Sequence, residues 1–236
     1  MVGRLRDRAG ETNGDADPAR VVLIDRAEMV GPDLGPGPRP VITAALAQLG
    51  VEVRLGQSLT SLTTDGVRFS DGTELAARTV IWTAGIEASP LTGHVPGRRD
   101  RLGRLHVDEH LRVPEVPAVF AAGDTAVAVA EPGQVVMPSC QHAIPLGKHA
   151  GHNAAAELLD LPTATFDPAP YVTCLDLGLA GAVFTTGFER TVLITGSPAK
   201  QRKRTINQQW IYPPLDEAAE ILRVADFRVG TRQGTA

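Results

Sequence analysis

No Gly-x-Gly-x-x-Gly occurs in the 236 residues. The usual backbone cradle for a dinucleotide pyrophosphate is therefore missing. Cysteine is nearly absent too. Cys140 and Cys174 lie far apart and form no Cys-x-x-Cys, which excludes a dithiol redox motif and a zinc ribbon and fits a reducing cytoplasm. No apolar run reaches the roughly 18 residues a membrane span needs. The first residues are charged and polar, so no signal peptide is expected. Positive charge is not in excess: the net charge is −4, which argues against a general nucleic-acid binder. Internal repeats and low-complexity tracts are lacking as well.

What remains is an α/β pattern. Hydrophobic residues make up 43% of the chain, enough for a packed core. The length fits one large domain or two small ones at ~150 residues per domain. Residues 1–10 read as the end of a helix. Residues 21–25 are a short apolar run ending in an acid, as in a buried parallel strand. Residues 40–50 have helical spacing, with proline first and glycine last, and residues 51–55 alternate. Residues 21–55 are thus expected to form one βαβ unit. Asp-Gly pairs at 65–66 and 71–72 separate short alternating segments and predict a β-meander. Residues 79–85 are a further apolar run, expected to return the chain to the sheet. Residues 103–113 alternate as in a short hairpin. A helix is expected from about 144 to 161, a separate antiparallel sheet over 171–195, and a modest amphipathic helix over 215–227. The last few residues read as disordered.

Two neighbouring segments carry the chemistry. Residues 119–126 (VFAAGDTA) read as a buried strand ending in Gly123-Asp124. Glycine there lets the backbone approach a ligand closely. A carboxylate at the carboxyl end of a parallel strand sits where ligands bind in open α/β sheets. The alternative is an ordinary Gly-Asp turn. Residues 137–147 (MPSCQHAIPLG) place Gln141, His142, Ala143 and Ile144 at a helix start, with Pro145 tolerated in the first turn. Free N–H groups and the helix dipole favour negative charge there. A plain helix start packed on the sheet is the competing reading.

Taken in order, these features resemble the pyridine nucleotide–disulfide oxidoreductase superfamily, and within it the type II NADH dehydrogenase group. They are the βαβ unit, the meander, Val-Ile-Trp-Thr-Ala-Gly, Gly-Arg-Leu-x-Val-Asp, Val-Phe-Ala-Ala-Gly-Asp, Gln-His-Ala and a small β-rich tail. The resemblance implies an α/β fold of two dinucleotide-binding Rossmann domains, incomplete here because both glycine loops are lacking, with a small β-rich C-terminal domain. Residues 1–82 would be a partial NAD(H)-binding domain, 83–165 the second segment of an FAD-binding domain, and 166–236 the C-terminal domain. The implied cofactors are FAD and NADH. The implied reaction passes a hydride from NADH to flavin, then electrons to a quinone or similar small-molecule acceptor.

By the same resemblance, Gly123 and Asp124 would meet the flavin ribityl hydroxyls. Residues 141–144 would face the flavin N1–C2=O edge. Asp25 would bond the adenosine ribose of NADH, although Arg26 beside it weakens the preference for NADH over NADPH. Ala84 and Gly85 would form the crossover where nicotinamide or flavin approaches, or serve a purely conformational role. No catalytic side chain and no metal ligand is expected. His142, His149 and His152 lack the companions of a metal set, and Cys140 reads as a small buried residue. Lys200–Arg204 reads as a solvated loop or a weak contact with acidic lipid headgroups, giving a cytoplasmic protein with peripheral contact at the inner face of the membrane. Two alternatives stay open. The chain is a catalytically silent fragment, or one half of a split flavoprotein whose N-terminal half is a separate chain. Otherwise it is a ferredoxin-reductase-like enzyme with a protein acceptor.

Overall fold

The computed structural model describes residues 20–83 and 85–230. In chain order the elements are β1 (Val22–Ile24), α1 (Arg39–Gln48), β2 (Glu52–Arg54), β3 (Leu59–Thr63), β4 (Gly66–Phe69) and β5 (Glu74–Ala76). Then come β6 (Leu105–His106), β7 (Ala126–Val127), β8 (Val129–Glu131), β9 (Gln134–Val135) and α2 (Cys140–Leu158). The chain continues with β10 (Val172–Asp176), β11 (Ala182–Thr186), β12 (Thr191–Thr195), α3 (Gly196–Thr205) and α4 (Ala218–Ala225). It divides into two compact units. One is Met1–Thr83 with Val172–Arg204; the other is Ala84–Tyr171 with Thr205–Ala236. The predicted helix end at residues 1–10 and the predicted disorder of the last residues lie outside the described residues.

The first unit contains the expected βαβ element. β1 and β2 pair in parallel, with Leu23 opposite Val53. Pro38 and Pro40 open α1, and Gly50 follows its end at φ 60, a conformation that costs glycine little. The meander is the antiparallel sheet β3-β4-β5, and its turns are the two Asp-Gly pairs. Asp71 Oδ1 accepts hydrogen bonds from the Thr73 amide and hydroxyl. Gly66 admits no side chain, because a Cβ there would lie 2.0 Å from the Leu75 carbonyl oxygen. β10-β11-β12 form the expected second antiparallel sheet. Ile42 and Ala45 of α1 pack with Leu177 and Val183, so this sheet region covers the apolar face of α1. Residues 200–204, read from sequence as a loop, belong to α3 instead. Lys200 pairs with Asp176, and Arg202 lies over the Phe184 ring.

In the second unit β6 and β7 pair in parallel and β8 and β9 antiparallel. Leu111, Ala128, Val136, Leu146 and Ala150 form one core cluster; Leu105, Val113, Ala121 and Ala126 form another. Three expectations are corrected here. Residues 119–122 are not a sheet strand. Pro114 and Pro117 fold the chain back, so the Val113 and Ala121 amides bond to Val119 and Leu111 carbonyls. Residues 103–113 are not a hairpin, because Leu105–His106 joins β7 instead. Residues 79–83 run as irregular chain, with Ile81 54% exposed, since no ladder among the described residues takes them in.

Candidate functional site

The candidate site of the second unit is built where a tight turn abuts a helix start. Ala122 is extended, Gly123 has φ +69, and Gly123–Thr125 forms a 3-10 turn. The Ala126 amide closes it onto the Gly123 carbonyl, and the Thr125 hydroxyl donates to the Ala122 carbonyl at 2.9 Å. The positive φ is what calls for glycine. A Cβ built on Gly123 would sit 3.9 Å from the Ala143 methyl, so the turn and the first turn of α2 are neighbours. Asp124 is exposed. Its carboxylate makes no hydrogen bond or ion pair with the described residues.

α2 starts at Cys140, four residues earlier than its expected start. Ser139 is its extended N-cap residue, but no side chain caps the helix; the Ser139 hydroxyl donates to the Met137 carbonyl instead. An uncapped helix start carries partial positive charge toward whatever lies before it. Pro145 accordingly sits in the second turn rather than the first and removes one helical hydrogen bond. Cys140 is exposed. The burial expected of it fails because the first residue of the helix lies outside the core.

The four predicted residues of this helix start do different things. Gln141 is half-buried and donates through Nε2 to the Pro170 carbonyl. His142 is only 2% exposed and stacks on Tyr171 at 4.8 Å. Its Nδ1 lies 2.9 Å from the Met137 amide nitrogen and 3.1 Å from the Met137 carbonyl oxygen. Its side chain therefore holds the entry loop in place. Ala143 and Ile144 line a hollow of about 680 Å³ with Gly147, Gly151, Leu222 and Phe227. Sequence reasoning missed Phe227, whose ring lies 4.8 Å from His149 and 4.5 Å from His152. Lys148 donates to the Val229 carbonyl at 3.0 Å, and burial pushes its pKa down. Hydrogen bonds from Arg228 hold the Asp226 carboxyl far below its ordinary range. A lone late phenylalanine gives no local signal for a contact some 80 positions back. Among the described residues no group of three or more His, Cys, Asp or Glu side chains could hold a metal ion.

The first unit presents Asp25 directly after β1. Its amide donates to the Arg54 carbonyl at 3.0 Å, and its Oδ1 accepts from the Ala27 amide at 3.0 Å. Ala84 lies outside the described residues. Gly85 is exposed at φ +88 with open space where a Cβ would go, so its requirement is conformational.

Residues at both places fit the implied groups. A flavin ribityl chain needs an acceptor with a free carboxylate beside a close backbone approach, and Asp124 next to Gly123 provides it. An electron-rich ring edge suits the uncapped start of α2. An adenosine ribose needs a carboxylate at a parallel strand end, which is where Asp25 stands.

Known proteins bear on this geometry. The family described as "Pyridine nucleotide-disulphide oxidoreductase" matches residues 9–147. An NADH dehydrogenase-like protein of Mycobacterium tuberculosis is 50% identical over 233 residues, which is 98% of this chain and 58% of that protein. A type II NADH:quinone oxidoreductase of the same species is 34% identical over 185 residues, covering 72% of this chain and 39% of its own length. The chain thus matches 58% of the length of the first relative and 39% of the second. Among solved structures, the sulfide:quinone oxidoreductase of Aquifex aeolicus matches with a TM-score of 0.67 at 12% identity, over 96% of this chain and 55% of its own. That likeness shows the α/β fold with Rossmann-type domains. By sequence and by fold, the chain belongs to the pyridine nucleotide-disulphide oxidoreductase family.

Proposed function

We propose that the chain serves an FAD-dependent NADH oxidoreductase, with FAD held by the second unit and NADH by the first. The observation that carries this reading is the Gly123-Asp124 turn set against the uncapped start of α2. When bound, flavin supplies the two-electron chemistry, hydride from NADH in and electrons out to a quinone or similar acceptor. The protein's own contribution is position and field. Asp124 accepts hydrogen bonds from ribityl hydroxyls. The first amides of α2 would hold the N1–C2=O edge, where their dipole favours negative charge. Gln141 and His142 fix that helix start, through Pro170 and through Met137 and Tyr171. Asp25 takes the adenosine ribose. No general base is needed for hydride transfer.

The acceptor reading rests on the quinone oxidoreductases among the relatives. Peripheral membrane contact rests on α4, whose Ile221 and Leu222 are exposed. No described helix is long and apolar enough to cross a membrane. A second reading, in which another polypeptide completes the catalytic unit, is supported by the exposed Val80 and Ile81 and by the β1-β2 parallel sheet, which has two strands among the described residues. Stoichiometric flavin binding to the purified chain, read by visible absorption and quenching of added FAD fluorescence, tests the first reading. Asp124→Ala is expected to weaken FAD by about 10–100-fold, the worth of charged hydrogen bonds. Absence of any flavin binding by the unmodified chain overturns the assignment.

A further inference from the structure

We propose that Tyr171 is a positioning residue that sets the reduction potential of flavin at the start of α2, acting through His142 and the first turn of that helix. This rests on the reading that the second unit holds FAD.

A helix start usually takes its direction from a cap. No side chain caps α2, so tertiary contacts around the first turn decide where its amides point. Two segments supply them. The Gly123 turn lies beside Ala143, as the 3.9 Å approach to its methyl shows. The chain before β10 supplies the rest, and there two consecutive residues hold two consecutive residues of the helix. The Pro170 carbonyl accepts from Gln141 Nε2 at 3.2 Å. The Tyr171 ring stacks on the His142 imidazole with 15° between their planes, a near-parallel geometry that suits flat rings. Both rings are buried, whereas Tyr212, the other tyrosine, is exposed. The imidazole also meets Met137 of the entry loop, and the Ser139 carbonyl accepts the His142 and Ala143 amides at 3.1 and 2.8 Å. One buried stack thus joins the entry loop, the first turn of α2 and Tyr171.

The amides of that turn carry partial positive charge, and reduced flavin carries more negative charge at its N1–C2=O edge than oxidised flavin does. A turn held in place therefore favours the reduced form over the oxidised one. A turn free to shift favours it less. Tyr171 needs no contact with the flavin for this, because its effect passes through the backbone that His142 anchors.

The test is the midpoint potential of FAD bound to the 236-residue protein and to its Tyr171→Phe, Tyr171→Leu and Tyr171→Ala variants. It is read by spectral titration against a reference dye, together with the Kd of oxidised FAD. Tyr171→Leu and Tyr171→Ala are expected to weaken reduced FAD relative to oxidised FAD by about three- to tenfold, a shift of about 14–30 mV to more negative potential. Tyr171→Phe keeps the ring and should stay within about twofold of the wild type. Leucine fills the space without a flat ring, so it gives the readout even if the alanine variant fails to fold. A merely structural role for Tyr171 would weaken both forms of FAD alike and leave the potential where it was. If the leucine variant binds FAD at an unchanged potential, this inference falls and the cofactor assignment stands. It falls equally if phenylalanine shifts the potential as far as leucine does, which would assign the effect to the hydroxyl. If the wild type binds no FAD, both fall.

Discussion

Asn153 is fully buried, and its amide ties α2 to two separate segments. Nδ2 donates to the His110 carbonyl at 2.7 Å and to the Ala164 carbonyl at 2.9 Å, and Oδ1 accepts from the Ala164 amide at 2.7 Å. Asn153→Ala removes the side-chain partner of three part-buried backbone groups and is expected to cost about 2–4 kcal/mol in urea unfolding. A cost under about 1 kcal/mol would mean that water replaces the amide. Asp100 makes a different kind of knot. Burial pushes its carboxyl pKa up, but the Arg104 amide and guanidinium and the Leu102 amide outweigh this and hold it below the ordinary value. Its folded pKa is thus depressed. The stability it contributes is present above the unfolded value near ~3.9 and is lost as pH falls through the folded one. Asp100→Ala should cost about 1–3 kcal/mol at neutral pH, and the gap from wild type should close in acid. A gap that persists at the acid end assigns the loss to packing rather than charge.

At the scale of elements, α4 and the residues after it rest on α2 through few contacts. Phe227 lies against His149 and His152, and Lys148 reaches the Val229 carbonyl. No residue of α4 is buried. Phe227→Ala should remove about 1–2 kcal/mol of apolar burial and speed amide exchange across 218–230, while the core of α2 stays protected. Unchanged exchange would show that Lys148 and the backbone hold the segment without the ring. The elements also show where sequence reading worked. The meander was legible because its turns are chemical statements: Asp71-Gly72 folds through the Asp71 side chain itself. The run at 119–122 was misread because a short apolar run fits a buried strand and a local fold-back equally well, and the prolines at 114 and 117 decide for the latter. The start of α2 was displaced because Pro145 looked like a first-turn residue, whereas Ser139 is the N-cap residue and Cys140 begins the helix. Asp124 and Ala143 were legible as neighbours only through the resemblance, since nothing local to either residue names the other.

For the whole molecule, the two tryptophans fall one in each compact unit, Trp82 in the first and Trp210 in the second. Single-tryptophan variants made with Trp→Phe changes therefore report each unit separately. FAD at about 100 times its Kd should stabilise the unit that binds it by ~2.7 kcal/mol. The denaturation midpoint read at Trp210 should rise more than the one read at Trp82. Equal shifts at both would mean that flavin engages the whole chain as one cooperative body. The division into these units was the least legible property of the sequence. A linear reading assigns contiguous stretches, and nothing in residues 39–48 says that their cover is written at 177 and 183.

That late cover has a consequence for how the protein is made. Ile42 and Ala45 leave the ribosome long before Leu177 and Val183, which shield them. At ~5–20 residues per second, the apolar side of α1 waits roughly 7–26 s for its lid to be synthesised. During that interval the nascent chain offers a sticky helix to its surroundings. Cellular yield should then depend on translation speed and on holdase chaperones more than the stability of the finished fold would suggest.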